Sequence, residues 1–390
     1  MNWEERISPL VRAVPPSGIR RFFDIAAEME DVVSLGVGEP DFVTPWTIRE
    51  SCVYGLEQGY TSYTANRGML ELRQEIALLY RNRFSLSYDP KENILVTVGV
   101  SEALDIAMRA ILSPGDEILI PEPCYVSYKA CASLAGAVPV PVPAKIENEF
   151  RITPADLEAH LTGKTKALLI GYPNNPTGAV MSRDDLMAIA AFAEQHDLIV
   201  ISDEIYGDLT YGDEEHICFS ALPGMQERTI LLNGFSKAYA MTGWRIGYAL
   251  ANPAIIAAMT KIHQYTMLCA PITAQLAAVE ALRHGEKYMK KMVSEYDLRR
   301  RYIYEGFLKL GLECFEPKGA FYIFPSIRST GWSSEEFAEK LLLTEHVAIV
   351  PGNAFGECGE GYIRCSYATS LDKISEALAR IGNFLKKYRH

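Results

Sequence analysis

Leu198-Ile199-Val200-Ile201-Ser202-Asp203 is a short, β-branched, almost wholly apolar run that ends on a carboxylate. A strand apolar on both faces must be covered on both faces, which is the signature of a sheet sandwiched between helices. Working outward, the same texture recurs at Ile94-Leu95-Val96-Thr97-Val98, Glu117-Ile118-Leu119-Ile120, Lys166-Ala167-Leu168-Leu169-Ile170 and Thr229-Ile230-Leu231-Leu232-Asn233. Between these runs lie amphipathic stretches of helical period, notably Glu102 to Leu112 and Ser182 to His196. Ser182 suits an N-cap, and Asp184 and Asp185 suit the first turn, where the helix dipole favours anions. Strand and helix alternate, so the fold class expected is α/β.

The pattern changes at two places. Residues 1–47 are irregular, with Pro15-Pro16-Ser17-Gly18 and Gly36-Val37-Gly38-Glu39-Pro40, and read as an arm that packs on other parts. Residues 48–283 carry the alternation. From His284 onward a long charged helix to Leu310 leads into a smaller unit, with strands at Ala320–Pro325 and Val347–Pro351 and a helix at Leu371–Lys387. The expected division is therefore 1–47, 48–283 and 284–390.

Composition excludes several classes. The chain has 390 residues, 38 Lys and Arg against 49 Asp and Glu, and a formal charge of -11. A general nucleic-acid binder needs a basic face to displace counterions, and an anionic membrane attracts polybasic segments, so neither partner is expected. Met1 to Ser8 lacks the charged-then-apolar order of a signal peptide, and no apolar run reaches membrane-spanning length. The 8 cysteines are scattered with no C-x-x-C pair, as in a reduced, cytoplasmic protein. The 7 histidines show no metal-binding spacing, so no metal is expected.

Three strand ends concentrate polar residues, and in open α/β sheets ligands sit beyond the carboxyl ends of the strands. Asp203 closes its strand beside Glu204 and Tyr206. A buried carboxylate needs a partner, and a cationic ring nitrogen is one candidate; a helix-capping acid is the plainer alternative. Asn174-Asn175-Pro176-Thr177-Gly178 follows the strand ending at Ile170 and by itself is turn chemistry. Ser236-Lys237 follows the last strand closely, with Gly243-Trp244-Arg245 a few residues on. A lysine in a low-dielectric site loses its proton readily and attacks carbonyls, and an arginine fork suits phosphate.

The run Ser236-Lys237-x-x-x-Met241-x-Gly243-Trp244-Arg245 resembles the cofactor-lysine motif of the class I/II aminotransferases, the fold-type I enzymes that use pyridoxal 5′-phosphate. The resemblance extends from Leu35-Gly36-Val37-Gly38-Glu39-Pro40-Asp41-Phe42 to Arg364, and is strongest toward the bacterial and archaeal aspartate and aromatic aminotransferases. It implies a large three-layer α/β/α domain with a mostly parallel sheet, plus a smaller α+β domain. It also implies a ping-pong transfer of an amino group from an L-amino acid to a 2-oxo acid.

On that resemblance Lys237 forms the internal aldimine and later serves as the base. Asp203 holds the ring nitrogen protonated, Asn175 and Tyr206 bond the phenolic oxygen, and Tyr125 stacks on the ring. The phosphate lies at the helix opening with Val100-Ser101-Glu102, completed by Ser236 and Arg245. Position 234 is Gly where several relatives carry a phosphate-binding Ser. Tyr63, with Tyr60 as competitor, reaches the phosphate of a neighbouring subunit, so a homodimer is implied. Arg364 grips the α-carboxylate beside Gly38, and Val14 to Ile19 forms a lid. A pyridoxal-phosphate carbon–sulfur β-lyase would share Lys237, Asp203 and Arg245 and is the alternative. A DNA-linked sensor is disfavoured by charge, and a nicotinamide enzyme by the missing third glycine after Gly36-x-Gly38.

Overall fold

The computed structural model describes residues 1–16, 25 and 29–388. Its strands in chain order are β1 (Val33–Ser34), β2 (Ile94–Thr97), β3 (Glu117–Glu122), β4 (Val138–Pro143), β5 (Thr165–Ile170) and β6 (Ile199–Asp203). There follow β7 (Thr229–Gly234), β8 (Gly247–Leu250), β9 (Tyr322–Ile323), β10 (Val347–Ala348), β11 (Val350–Pro351) and β12 (Ile363–Ser366). Seven of them form one sheet in the order β2-β8-β7-β6-β5-β3-β4. Only β8 runs antiparallel to its neighbours.

Successive side chains of a strand point to opposite faces. Ile120, Leu169, Ile201, Ile230 and Leu232 face a core shared with the helices Gly99–Ile111 and Pro253–Thr266. Their neighbours Leu119, Leu168 and Val200 face a second core, with Leu186, Ile189 and Phe192 of the helix Arg183–Gln195. Leu231 and Tyr248 join a third cluster with residues of the helices Leu70–Phe84 and Ile272–His284. The apolar strands are therefore covered on both faces, and the fold is a three-layer α/β/α sandwich. Ser182 caps the Arg183–Gln195 helix by a reciprocal box with Asp185, as its sequence predicts.

Several elements differ from expectation. β4 reads Val-Pro-Val-Pro-Val-Pro, a run that argues against a strand. It is tolerated because β4 is an edge strand pairing only with β3, so half of its backbone donors have no ladder to serve. β8 is a short strand opening on Gly247 and carries no periodic signal. The long charged helix expected from His284 to Leu310 is one helix, Glu286–Lys309, set off by Gly285 from the preceding Ile272–His284. The Ala320–Pro325 run yields only the two residues of β9. Val347–Pro351 divides between two sheets: β10 pairs with β1, and β11 with β12 of the order β11-β12-β9. The N-terminal segment is thus hydrogen-bonded into the C-terminal third. Among the described residues no helix is long and apolar enough to cross a membrane.

The parallel arrangement brings the carboxyl ends of β2, β3, β5, β6 and β7 to one edge of the sheet. Close backbone packing fixes that edge. A Cβ on Gly247 would stand 2.7 Å from the Val100 nitrogen and 2.8 Å from the Gly99 carbonyl carbon, both backbone atoms at the start of the Gly99–Ile111 helix. Backbone cannot give way as a side chain can, so Gly247→Ala should cost about 2 kcal/mol or more of stability. Denaturant unfolding checks this; a variant as stable as the parent would mean the helix start is free to shift.

Candidate active site

A cavity of about 390 Å³ lies at this sheet edge. Gly38, Val100, Ser101, Tyr125, Asn175, Asp203, Tyr206, Ser236, Lys237, Arg245 and Arg364 all line it. Residues expected from seven separate stretches of sequence therefore meet in one place. Two expected residues are not among its lining: Glu102 and Tyr63.

Asp203 is buried at the last position of β6. The Tyr128 hydroxyl donates to its Oδ2 at 2.8 Å, and the Ile205 N–H donates to its Oδ1 at 3.2 Å. Burial pushes its pKa up to about 6, against the pull of these two bonds. Lys237 follows β7 and its Nζ donates to the Gly38 carbonyl at 2.6 Å. Burial first, and the Arg364 charge second, bring the Lys237 amine down to about 8.

Arg364 projects from β12, buried, between the rings of Tyr322 at 4.5 Å and Phe355 at 4.8 Å. Its Nη1 donates to Asn175 Oδ1 at 3.1 Å and its Nη2 to the Gly36 carbonyl at 2.6 Å. Its buried Nε has no partner among the described residues, a donor that an incoming anion can satisfy. The Asn174–Gly178 stretch serves both purposes weighed for it. Asn174 Oδ1 accepts from the Thr177 N–H and hydroxyl and builds the turn, and Asn175 faces the cavity.

At the other end of the cavity the Gly99–Ile111 helix begins. Gly99 has φ +75°, and a Cβ there would stand 2.6 Å from Nη2 of Arg245, so only glycine fits. Arg245 itself takes φ +52°, a left-handed conformation costing about 1–2 kcal/mol, and its Nη1 donates to the Thr242 carbonyl at 3.0 Å. A guanidinium, a helix N-terminus and the hydroxyl-bearing Ser101 and Ser236 converge there, the donor set of an anion site. Glycine at 234 also has a reason: a Cβ would stand 2.9 Å from the Gly247 Cα.

Glu102 requires a correction. Its carboxylate accepts the Val98 N–H at 2.6 Å and pairs with Nδ1 of the buried His263 at 2.6 Å. The helix opens at Gly99, as expected, and Glu102 caps the chain entering it and is not among the residues that line the cavity. Tyr63 is 82% exposed, and Tyr60 is also exposed. Of the lid stretch, Ser17 to Ile19 lie outside the described residues. Two aromatic residues at the site have no sequence signal of their own, Tyr128 and Tyr322.

A half-buried amine, a buried carboxylate, an anion cradle and, apart from it, a buried guanidinium define an enzyme that handles a small molecule carrying a phosphate and a carboxylate. These groups fit pyridoxal phosphate bearing an amino acid: the orphaned Arg364 Nε and the Gly99–Arg245 cradle are donors placed for its two anions. Residues 30–381 match the family Aminotransferase class I and II. The chain is 57% identical over 381 residues to the putative aminotransferase YugH of Bacillus subtilis, covering 98% of each. It is 48% identical to an aspartate aminotransferase of Pyrococcus abyssi, covering 96% of this chain and 97% of that one. Among solved structures, an aromatic aminotransferase from Pyrococcus horikoshii superposes with a TM-score of 0.90 at 45% identity, covering 95% of this chain and 99% of that one. The chain belongs to the class I and II aminotransferase family. It is a pyridoxal-phosphate-dependent enzyme of amino-group transfer, and the lyase alternative is not favoured.

The depressed amine is directly testable. In cofactor-free protein, arylation of Lys237 by 1-fluoro-2,4-dinitrobenzene should rise through a midpoint near pH 8, because the neutral amine is the nucleophile that displaces fluoride. A midpoint at the ordinary lysine value of about 10.4 would contradict the low-dielectric site.

Proposed function

We propose that this cavity is the site at which an L-amino acid surrenders its amino group and a 2-oxo acid collects it, one substrate leaving before the next binds. The convergence of Lys237, Asp203, Arg245 and Arg364 on one cavity carries this reading. Bound pyridoxal phosphate supplies a carbonyl for the nitrogen and a ring that accepts electrons from the substrate.

Arg245, Ser236, Ser101 and the backbone at Val100 hold the phosphate. Asp203 offers its carboxylate to the ring nitrogen, and Tyr128 keeps that carboxylate oriented. Tyr125 packs on the ring, and Asn175 and Tyr206 meet its phenolic oxygen. Arg364, helped by the glycine at 38, fixes the substrate carboxylate as a two-donor fork, which sets the direction of the Cα–H bond. Lys237 Nζ then takes that proton and returns it on the other side of the transfer. An amine whose pKa lies near 8 is suited to both directions. Arg364 reads only the carboxylate, which amino acid and oxo acid share.

We infer further that the enzyme is a homodimer with Tyr63 serving the neighbouring subunit's phosphate. Exposed Val43, Trp46, Tyr54, Tyr60 and Tyr63 support a face that a second copy covers. The eight free cysteines support a cytoplasmic location.

Lys237→Ala should lower amino-group transfer by roughly 10³-fold or more while leaving a folded protein. Near-parental turnover would remove Lys237 from the reaction. Arg364→Lys should raise KM for amino acid and oxo acid together, each by about tenfold or more, since a point charge cannot replace the fork. Steady-state kinetics with both substrates varied measures this, and an unchanged KM for either substrate contradicts the assignment.

A further inference from the structure

Tyr322 lies on β9, 1% exposed, and lines the same cavity. Its hydroxyl oxygen is 2.8 Å from that of Tyr206. Among the described residues each hydroxyl has the other as its hydrogen-bond partner. The Tyr322 hydroxyl also occupies the space a Cβ on Gly38 would need. The Tyr322 ring lies under the Arg364 guanidinium. One side chain therefore touches the carboxylate-binding arginine, the glycine beside it, and the tyrosine assigned to the phenolic oxygen.

Two hydroxyls at hydrogen-bond distance share one of two protons, and only one direction leaves the Tyr206 proton for the cavity. The Arg364 charge favours Tyr322 as donor, because a nearby cation makes a hydroxyl more acidic. Burial raises both phenols and the Arg364 charge pulls both down, as the leading opposing influence on Tyr322, whose ring it overlies at 4.5 Å, and a lesser one on Tyr206, which stays well above its ordinary value. A hydroxyl that accepts a bond also becomes a stronger donor.

We propose that Tyr322 is a positioning residue: its O–H donates to the Tyr206 oxygen and so aims the Tyr206 proton at the phenolic oxygen of the cofactor. The inference rests on the role given above to Tyr206. A donor on that oxygen favours its ionised form, so losing the donor raises the pH at which the bound cofactor's visible band titrates.

The test is a pH titration of that band in the holoenzyme for the parent, Tyr322→Phe, Tyr206→Phe and the double variant. Phe at 322 keeps the ring under Arg364 and removes only the hydroxyl. The expected result is a midpoint raised by about 0.5–1 pH unit in Tyr322→Phe, raised further in Tyr206→Phe, and no higher in the double. The loss in steady-state rate should fall on kcat, with KM for the amino acid held within about threefold. A midpoint lowered by Tyr322→Phe would mean that Tyr206 donates to Tyr322, and overturns the proposal. An unmoved midpoint, or a double variant showing the sum of both shifts, overturns it as well. If Tyr206→Phe itself leaves the midpoint unchanged, the reading of Tyr206 fails, and this inference with it.

Discussion

Three cations, Lys237, Arg245 and Arg364, face one cavity whose lining among the described residues carries two carboxylates, the buried Asp203 and the exposed Glu39. Like charges gathered in a site of reduced dielectric repel, and burial penalises Lys237 and Arg364. The lysine responds by weakening its hold on a proton, and burial likewise draws the Arg364 guanidinium down. The two arginines instead lean on carbonyl oxygens: Thr242 for Arg245 and Gly36 for Arg364. An anionic ligand relieves this imbalance, and a phosphate with a separate carboxylate would do so at both ends.

Such crowding persists because rigid elements impose it. Asp203 and Lys237 hang from neighbouring parallel strands whose register is fixed by packing on both faces of the sheet. Arg364 arrives from a separate three-stranded sheet, and the Gly36–Gly38 segment is held to β10 and β12 through Leu35, which bonds Ala348 and Ser366. The glycines at 99, 234 and 247 let backbone approach backbone at the anion end. The connection between β7 and β8 contributes Ser236, Lys237 and Arg245, and the other groups come from separate elements tied together by strand pairing.

Much of this was legible in the sequence, for identifiable reasons. Asp203, Asn175 and Lys237 follow uniformly apolar runs, and a polar residue at such a strand end stands out. Arg364 and Tyr125 had no such contrast and were reached only through resemblance to a family. Tyr128 and Tyr322 were not reached, because a tyrosine in an apolar stretch reads as core until the bond made by its hydroxyl is seen. Glu102 was misread because its place near a helix start suits a ligand contact and a cap equally; the partner that decides, His263, is 161 residues away. β4 escaped because proline forbids a central strand but not an edge, and sequence alone does not say which strand is the edge.

The central claim is that one cavity takes nitrogen from an amino acid and passes it on. The visible absorption spectrum of the purified protein with pyridoxal phosphate tests it, recorded before and after a single amino acid and again after a 2-oxo acid. The account predicts a yellow band that bleaches with the amino acid and returns with the oxo acid, with no second protein present. A band that no amino acid changes, or one that bleaches and does not recover with any oxo acid, would contradict it.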